Sequence, residues 1–161
     1  MCYALVMSQP APAFIYATET GNAETLARHA HERAVASGWI HASVVNISQL
    51  NPADLLAHPL VIFVVSTWGD GEPPSDATDF FYALEKSALD LSGLRYAILG
   101  LGDHDYSEFC GFARNLDARL AALGATPLLP REEADLDYED TYNAWIERLL
   151  PLLESNSVTT S

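Results

Sequence analysis

Three short segments hold the residues of this chain best suited to chemistry on a ligand. Thr18-Glu19-Thr20-Gly21-Asn22-Ala23 places hydroxyls and a glycine directly before a helical pattern, with Thr25 one residue beyond Glu24. A helix start presents unpaired N–H groups and the positive end of the helix dipole, so it can hold a phosphate without Lys or Arg. Ser66-Thr67-Trp68-Gly69-Asp70-Gly71 and Leu101-Gly102-Asp103-His104-Asp105-Tyr106 each set an aromatic ring beside glycines. Two rings in polar loops suit a planar ligand, and offset stacking contributes about 0.5–1.5 kcal/mol per pair beyond burial. Alone, the first segment reads equally well as an ordinary helix start, with Thr20 or Asn22 capping and Gly21 turning the chain. Together the three describe a ligand with a phosphate at one end and a flat ring at the other, as in flavin mononucleotide (FMN).

The elements that must position these segments alternate strand and helix, the pattern of an α/β parallel sheet. Ala13 to Ala17 reads as a strand, and Asn22 to Ser37 as a helix with Ala23, Leu26, Ala27, Ala30, Ala34 and Val35 on one face, ended by Gly38. His41 to Val45 is a weaker edge strand, and Pro52 to Ala57 a short helix. Leu60 to Val65 is six apolar residues without alternation, as a strand covered on both faces requires. Asp76 to Leu89 is predicted helical, Leu94 to Leu99 a buried strand, Gly111 to Leu123 a helix and Thr126 to Leu129 the last strand. A final helix carries Tyr142, Trp145, Ile146, Leu149, Leu150 and Leu153. Right-handed crossovers lead to a doubly wound five-stranded parallel sheet of order 2-1-3-4-5 with helices on both faces. The three segments then fall at strand carboxyl ends, where such sheets bind ligands. Residues 1–12 read as an extension, 13–154 as one domain and 155–161 as a disordered polar tail.

Composition narrows the function classes. The chain has 161 residues, 49% of them hydrophobic, and a formal charge of −14 from 22 acids against 8 Lys plus Arg. Nucleic acid and anionic membrane surfaces are poor partners for such a charge. No apolar run approaches the roughly 20 residues of a membrane span. Met1 to Met7 is apolar without a basic n-region, so the expectation is a cytoplasmic protein. Cys2 and Cys110 fit a reducing compartment, with neither a disulfide framework nor a zinc site. Thirteen of the 22 acids follow strand ends: Asp70, Glu72, Asp76 and Asp79; Asp103, Asp105 and Glu108; Glu132, Glu133, Asp135, Asp137, Glu139 and Asp140. Their shared rim suggests a docking face for a basic partner. Gly69-Asp70-Gly71 and Gly100-Leu101-Gly102 are followed by Pro74 and Asp105 at the last glycine position, so no dinucleotide fingerprint exists. P-loop and GxSxG motifs are absent too, and the five histidines form no ligand pattern.

With these segments the chain resembles the flavodoxin family, above all the branch holding the FMN domains of cytochrome P450 reductase and sulfite reductase flavoprotein, and the MioC-type short flavodoxins. The matching forms are Ser/Thr-x-Thr-Gly-x-Ala at Thr18 to Ala23, Ser-Thr-x-Gly-x-Gly at Ser66 to Gly71, and Leu-Gly-x-x-x-Tyr-x-x-Phe-Cys at Leu101 to Cys110. Glu19 departs from the uncharged residue common at its position. The resemblance implies FMN contacts from Thr18, Glu19, Thr20, Gly21, Asn22 and Ala23 at the phosphate. Ser66, Thr67, Trp68 and Gly69 follow from the second loop. Leu101, Gly102, Asp103, His104, Asp105, Tyr106, Ser107, Glu108, Phe109 and Cys110 follow from the third, with Trp68 and Tyr106 flanking the ring. It also implies a short-chain type and an electron carrier rather than an enzyme. Such a carrier is reduced by an NADPH-dependent flavoprotein reductase, delivers to a basic-surfaced redox acceptor and works as a monomer. Two alternatives are an FMN-dependent NAD(P)H reductase and a flavin-free interaction module with an acidic docking face.

Overall fold

A computed structural model describes residues 11–18, 21–67, 71–103 and 110–155. The expectations for residues 1–10 and 156–161 lie outside that range. The elements are β1 (Ala13–Ala17), α1 (Asn22–Ala36), β2 (Ser43–Asn46), β3 (Leu60–Ser66), α2 (Thr78–Lys86), β4 (Arg95–Leu101), α3 (Gly111–Ala122), β5 (Thr126–Pro127), β6 (Glu132–Ala134) and α4 (Glu139–Ser155). Short 3-10 helices span Ile47–Gln49, Pro52–Ala57 and Ser75–Ala77. The sheet order is β2-β1-β3-β4-β5, with β6 also on β4, and every pairing is parallel.

Alternation along the central strands divides the core in two. Phe14, Tyr16, Ile62, Val64, Ala97 and Leu99 face α1 and α4. Ile15, Ala17, Phe63, Val65, Tyr96 and Ile98 face α2 and α3. Leu60–Ser66 is buried at every position, as its unbroken apolar run requires. The predicted stripes of α1 and α4 are buried except at Val35 and Leu150, which are half-buried, and Gly38 after α1 and Gly124 after α3 lie in the left-handed region at φ 112° and 103°.

Three boundaries differ from the sequence expectation. The edge strand is Ser43–Asn46 rather than His41 to Val45. The helix expected over Asp76 to Leu89 is the shorter Thr78–Lys86 behind a 3-10 turn. Ser87 is extended there, and the Arg119 guanidinium donates to the carbonyls of Leu84 (3.2 Å) and Ser87 (2.8 Å), which terminates α2 from outside. The last strand does not run over Thr126 to Leu129 but breaks after Pro127 and resumes at Glu132. Tyr96 pairs with Pro127 and Leu99 with Glu132, so β4 advances three residues while the edge advances five. Pro127 has no N–H to continue the ladder, and the two extra residues are accommodated where Pro130 also lacks one.

The break is clamped by Arg131. Its guanidinium pairs with Asp117 on α3 at 2.6 Å and with Glu133 on β6 at 2.9 Å, and Asp117 also accepts the Tyr96 hydroxyl. Hence Glu132 to Ala134, expected beyond the sheet, forms its edge.

Candidate functional site

The site is built on the carboxyl ends of β1, β3 and β4, which are consecutive neighbours. The register sets Ala17 beside Val65, Ser66 beside Leu101, and Leu101 beside Ala134. Adjacent strands lie about 4.8 Å apart, so the three segments leave the sheet within about 10 Å of one another.

At the first segment the chain turns from β1 into α1 through Gly21, whose φ of 99° favours glycine. The Thr18 hydroxyl oxygen accepts the Gly21 N–H at 2.8 Å. That bond occupies the oxygen as acceptor, and among the described residues no group accepts the hydroxyl proton. Gly21 is the N-cap of α1 and provides no side-chain cap, so the first-turn amides begin without one. Ala23 is fully buried and offers only backbone, while Asn22 is exposed. The Thr25 hydroxyl donates to the Gly21 carbonyl at 3.0 Å, which ties the first turn of α1 to its N-cap.

The second and third segments are laced to each other. Thr67 N–H donates to the Leu101 carbonyl at 2.9 Å, and its hydroxyl oxygen accepts Phe112 N–H at 3.1 Å. Gly102 N–H donates to the Ala134 carbonyl at 2.9 Å, and the Cys110 thiol lies 3.8 Å from that same oxygen. Both ends of the third segment are thus pinned to one residue of β6. Cys110 is fully buried with φ 54°, and burial pushes its thiol up to about 12. It can meet a ligand only through its backbone. Leu101 likewise turns its side chain into the core. Glu19, Thr20, Trp68, Gly69 and Asp70, and His104, Asp105, Tyr106, Ser107, Glu108 and Phe109, lie outside the described residues.

These features fit FMN. A helix N-terminus whose N-cap glycine provides no side-chain cap, beside the Thr18 hydroxyl, forms a donor set for a terminal phosphate, with no basic side chain required.

Three rim acids serve structure. Asp76 accepts from Thr18 N–H and Asn46 Nδ2, Glu132 pairs with Arg148 at 2.6 Å, and Glu133 pairs with Arg131. The partnerships of Asp76 with Thr18 and Asn46, and of Arg131 with Asp117, escaped sequence reasoning, because each joins residues far apart along the chain. Leu136, 69% exposed, stands between Asp135 and Asp137 after β6. Among the described residues no group of His, Cys, Asp and Glu could hold a metal ion, and no helix is long and apolar enough to cross a membrane.

The sequence matches the family described as flavodoxin over residues 14–145. The sulfite reductase (NADPH) flavoprotein alpha-component of Shewanella sp. (strain MR-7) is 37% identical over 148 residues, covering 91% of this chain and 24% of that protein. Its counterpart in Bacillus subtilis (strain 168) is 37% identical over 148 residues, covering 88% and 24%. The chain therefore spans about a quarter of the length of these curated relatives. Among solved structures, oxidised flavodoxin 2 from Bacillus cereus gives a TM-score of 0.77 at 26% identity, covering 91% of this chain and 99% of that one. A flavodoxin from Streptococcus pneumonia TIGR4 gives 0.75 at 29% identity, covering 89% and 95%.

Proposed function

The chain belongs to the flavodoxin family of FMN-binding electron-transfer proteins, and from that premise we propose that it is a carrier between an NADPH-dependent flavoprotein reductase and a basic-surfaced acceptor protein, without a substrate of its own. The observation that carries this reading is the convergence of three strand ends beside a helix N-terminus without a side-chain cap. The names of the relatives, which pair NADPH with a flavoprotein of sulfite reductase, support the choice of donor.

Bound FMN supplies the one- and two-electron chemistry, and the chain supplies binding, orientation and field. The proposed contacts are Thr18 to Ala23 at the phosphate, and Ser66 to Gly69 with Leu101 to Cys110 around the ring, which Trp68 and Tyr106 flank. Acids on the rim disfavour the addition of negative charge to that ring, which lowers its affinity for the second electron. The same field draws in a basic partner and orients it, an effect that weakens as salt rises. Leu136 adds an apolar contact among the acids. A cytoplasmic setting and a monomer complete the proposal, supported by the low cysteine count and the domain-sized core.

The test is the absorbance spectrum of the purified protein followed by flavin titrations. The expected result is one FMN per chain and much weaker binding of riboflavin, which lacks the phosphate. Riboflavin binding as tight as FMN would refute the role given to the first segment. Rapid bleaching by NADPH alone, without an added reductase, would make the protein an enzyme instead.

A further inference from the structure

Asp76 is one of the acids assigned from the sequence to a rim that docks a basic partner, but its carboxylate is turned to the base of the first segment. Thr18 N–H is shared between Asp76 Oδ1 at 3.3 Å and Oδ2 at 3.2 Å, and Asn46 Nδ2 donates to Oδ2 at 3.0 Å. Asn46 is itself oriented, because its Oδ1 accepts Ser48 N–H at 2.7 Å. The amide therefore presents its NH2 to Asp76, and an acceptor-only carboxylate satisfies both donors. Thr18, held at its N–H, in turn holds Gly21 N–H through its hydroxyl oxygen at 2.8 Å, and Gly21 is where α1 begins.

We propose that Asp76 is a positioning residue for the FMN phosphate: it fixes Thr18, and through Thr18 the shape of the segment that binds the phosphate. This rests on the FMN reading above and deepens it. An acid beside a phosphate site is electrostatically unfavourable, so its presence there has to be offset by geometry. The same contacts tie the segment after β1 to the chain that follows the second segment, since Asp76 lies in the 3-10 turn before α2.

Charge and geometry are separable at this position. Asp76→Asn can keep an oxygen where Oδ2 accepts from Thr18 and Asn46, but it loses the negative charge and replaces Oδ1, which shares the Thr18 N–H, by an NH2 that cannot accept. Asp76→Ala loses both oxygens and the charge. The experiment measures FMN and riboflavin affinity for the two variants, together with hydrogen exchange of the Gly21 amide in flavin-free protein. Asp76→Ala should lose about tenfold or more in FMN affinity, the scale of hydrogen bonds to a charged group. Riboflavin affinity should stay within about twofold, because the anchor acts at the phosphate. Asp76→Asn, which keeps one acceptor and sheds the charge, should lose less FMN affinity than Asp76→Ala and speed Gly21 exchange less. If Asp76→Ala does not fold, Asp76→Glu keeps the charge but displaces it by one methylene, and should show the same selective loss.

Unchanged FMN affinity in the alanine or glutamate variant would overturn the proposal. So would an equal loss of FMN and riboflavin, which would mark a general structural role. A wild-type protein that binds no flavin, while Gly21 exchange still responds to Asp76→Ala, would uphold the anchor and sink the FMN reading instead.

Discussion

Gly100 offers a quantitative test of how the sheet supports the third segment. It lies in β4 beneath α3, and a methyl group at this position would stand 2.6 Å from the Ala113 Cβ and 3.7 Å from the Cys110 Cβ and Sγ. Carbon atoms in good contact lie about 3.5–4.0 Å apart, so Gly100→Ala is short of room by about 1 Å. Neither partner can swing aside, since Ala113 has no rotatable side chain and belongs to a helix. The helix must move, and overpacking of this kind costs about 1–3 kcal/mol. The same displacement stretches the bond from Phe112 N–H to Thr67 Oγ1, now 3.1 Å, beyond the useful range. Urea unfolding of flavin-free protein should show the loss of stability, and titration should show weaker FMN binding. Adding Ala113→Gly removes the obstructing methyl at a helix cost of about 1 kcal/mol, so the double variant should fall short of the summed single effects by about 1 kcal/mol or more. Stability of Gly100→Ala within about 0.5 kcal/mol of wild type, or strict additivity with Ala113→Gly, would refute the contact.

The Cys110 thiol, fully buried and raised to about 12, should resist alkylation of the native protein at pH 8 and react only when urea opens the fold, as mass spectrometry would report. Burial also raises Tyr142 to about 12 and raises Tyr96 beside Asp117. The native state keeps these protons after the unfolded chain releases them, above about pH 9 for the thiol and about pH 10 for the phenols. Their stabilisation is therefore complete below about pH 9 and lost as pH rises towards 12, at about 1.4 kcal/mol per pH unit for each titrating group, measurable by urea unfolding at stepped pH. Arg131→Met should cost about 1–3 kcal/mol by leaving Asp117 and Glu133 without their shared cation, and should accelerate exchange of the Gly102 amide that rests on Ala134. Unchanged Gly102 exchange would show that β6 holds the third segment without this clamp.

The sequence by itself determined the order of elements as far as the strand at Thr126, the two-sided burial of the sheet and the location of the three segments at strand ends. Each of these is a local property: an unbroken apolar run such as Leu60 to Val65 needs cover on both faces, and the stripe from Ala23 to Ala34 needs one. Glycines 21, 38 and 124 marked turns because a left-handed backbone strongly favours that residue. Tertiary structure decided what depends on partners distant in the chain. Arg119 cuts α2 short from another helix, and the break after Pro127 survives because Arg131 bridges α3 and β6. Asp76 reads as a surface charge among its neighbours, and only the parallel pairing of β1 with β2 brings Thr18 and Asn46 to it. Local pattern specifies which face of an element is buried. The pairing of a single carboxylate with a single amide is set by the whole fold.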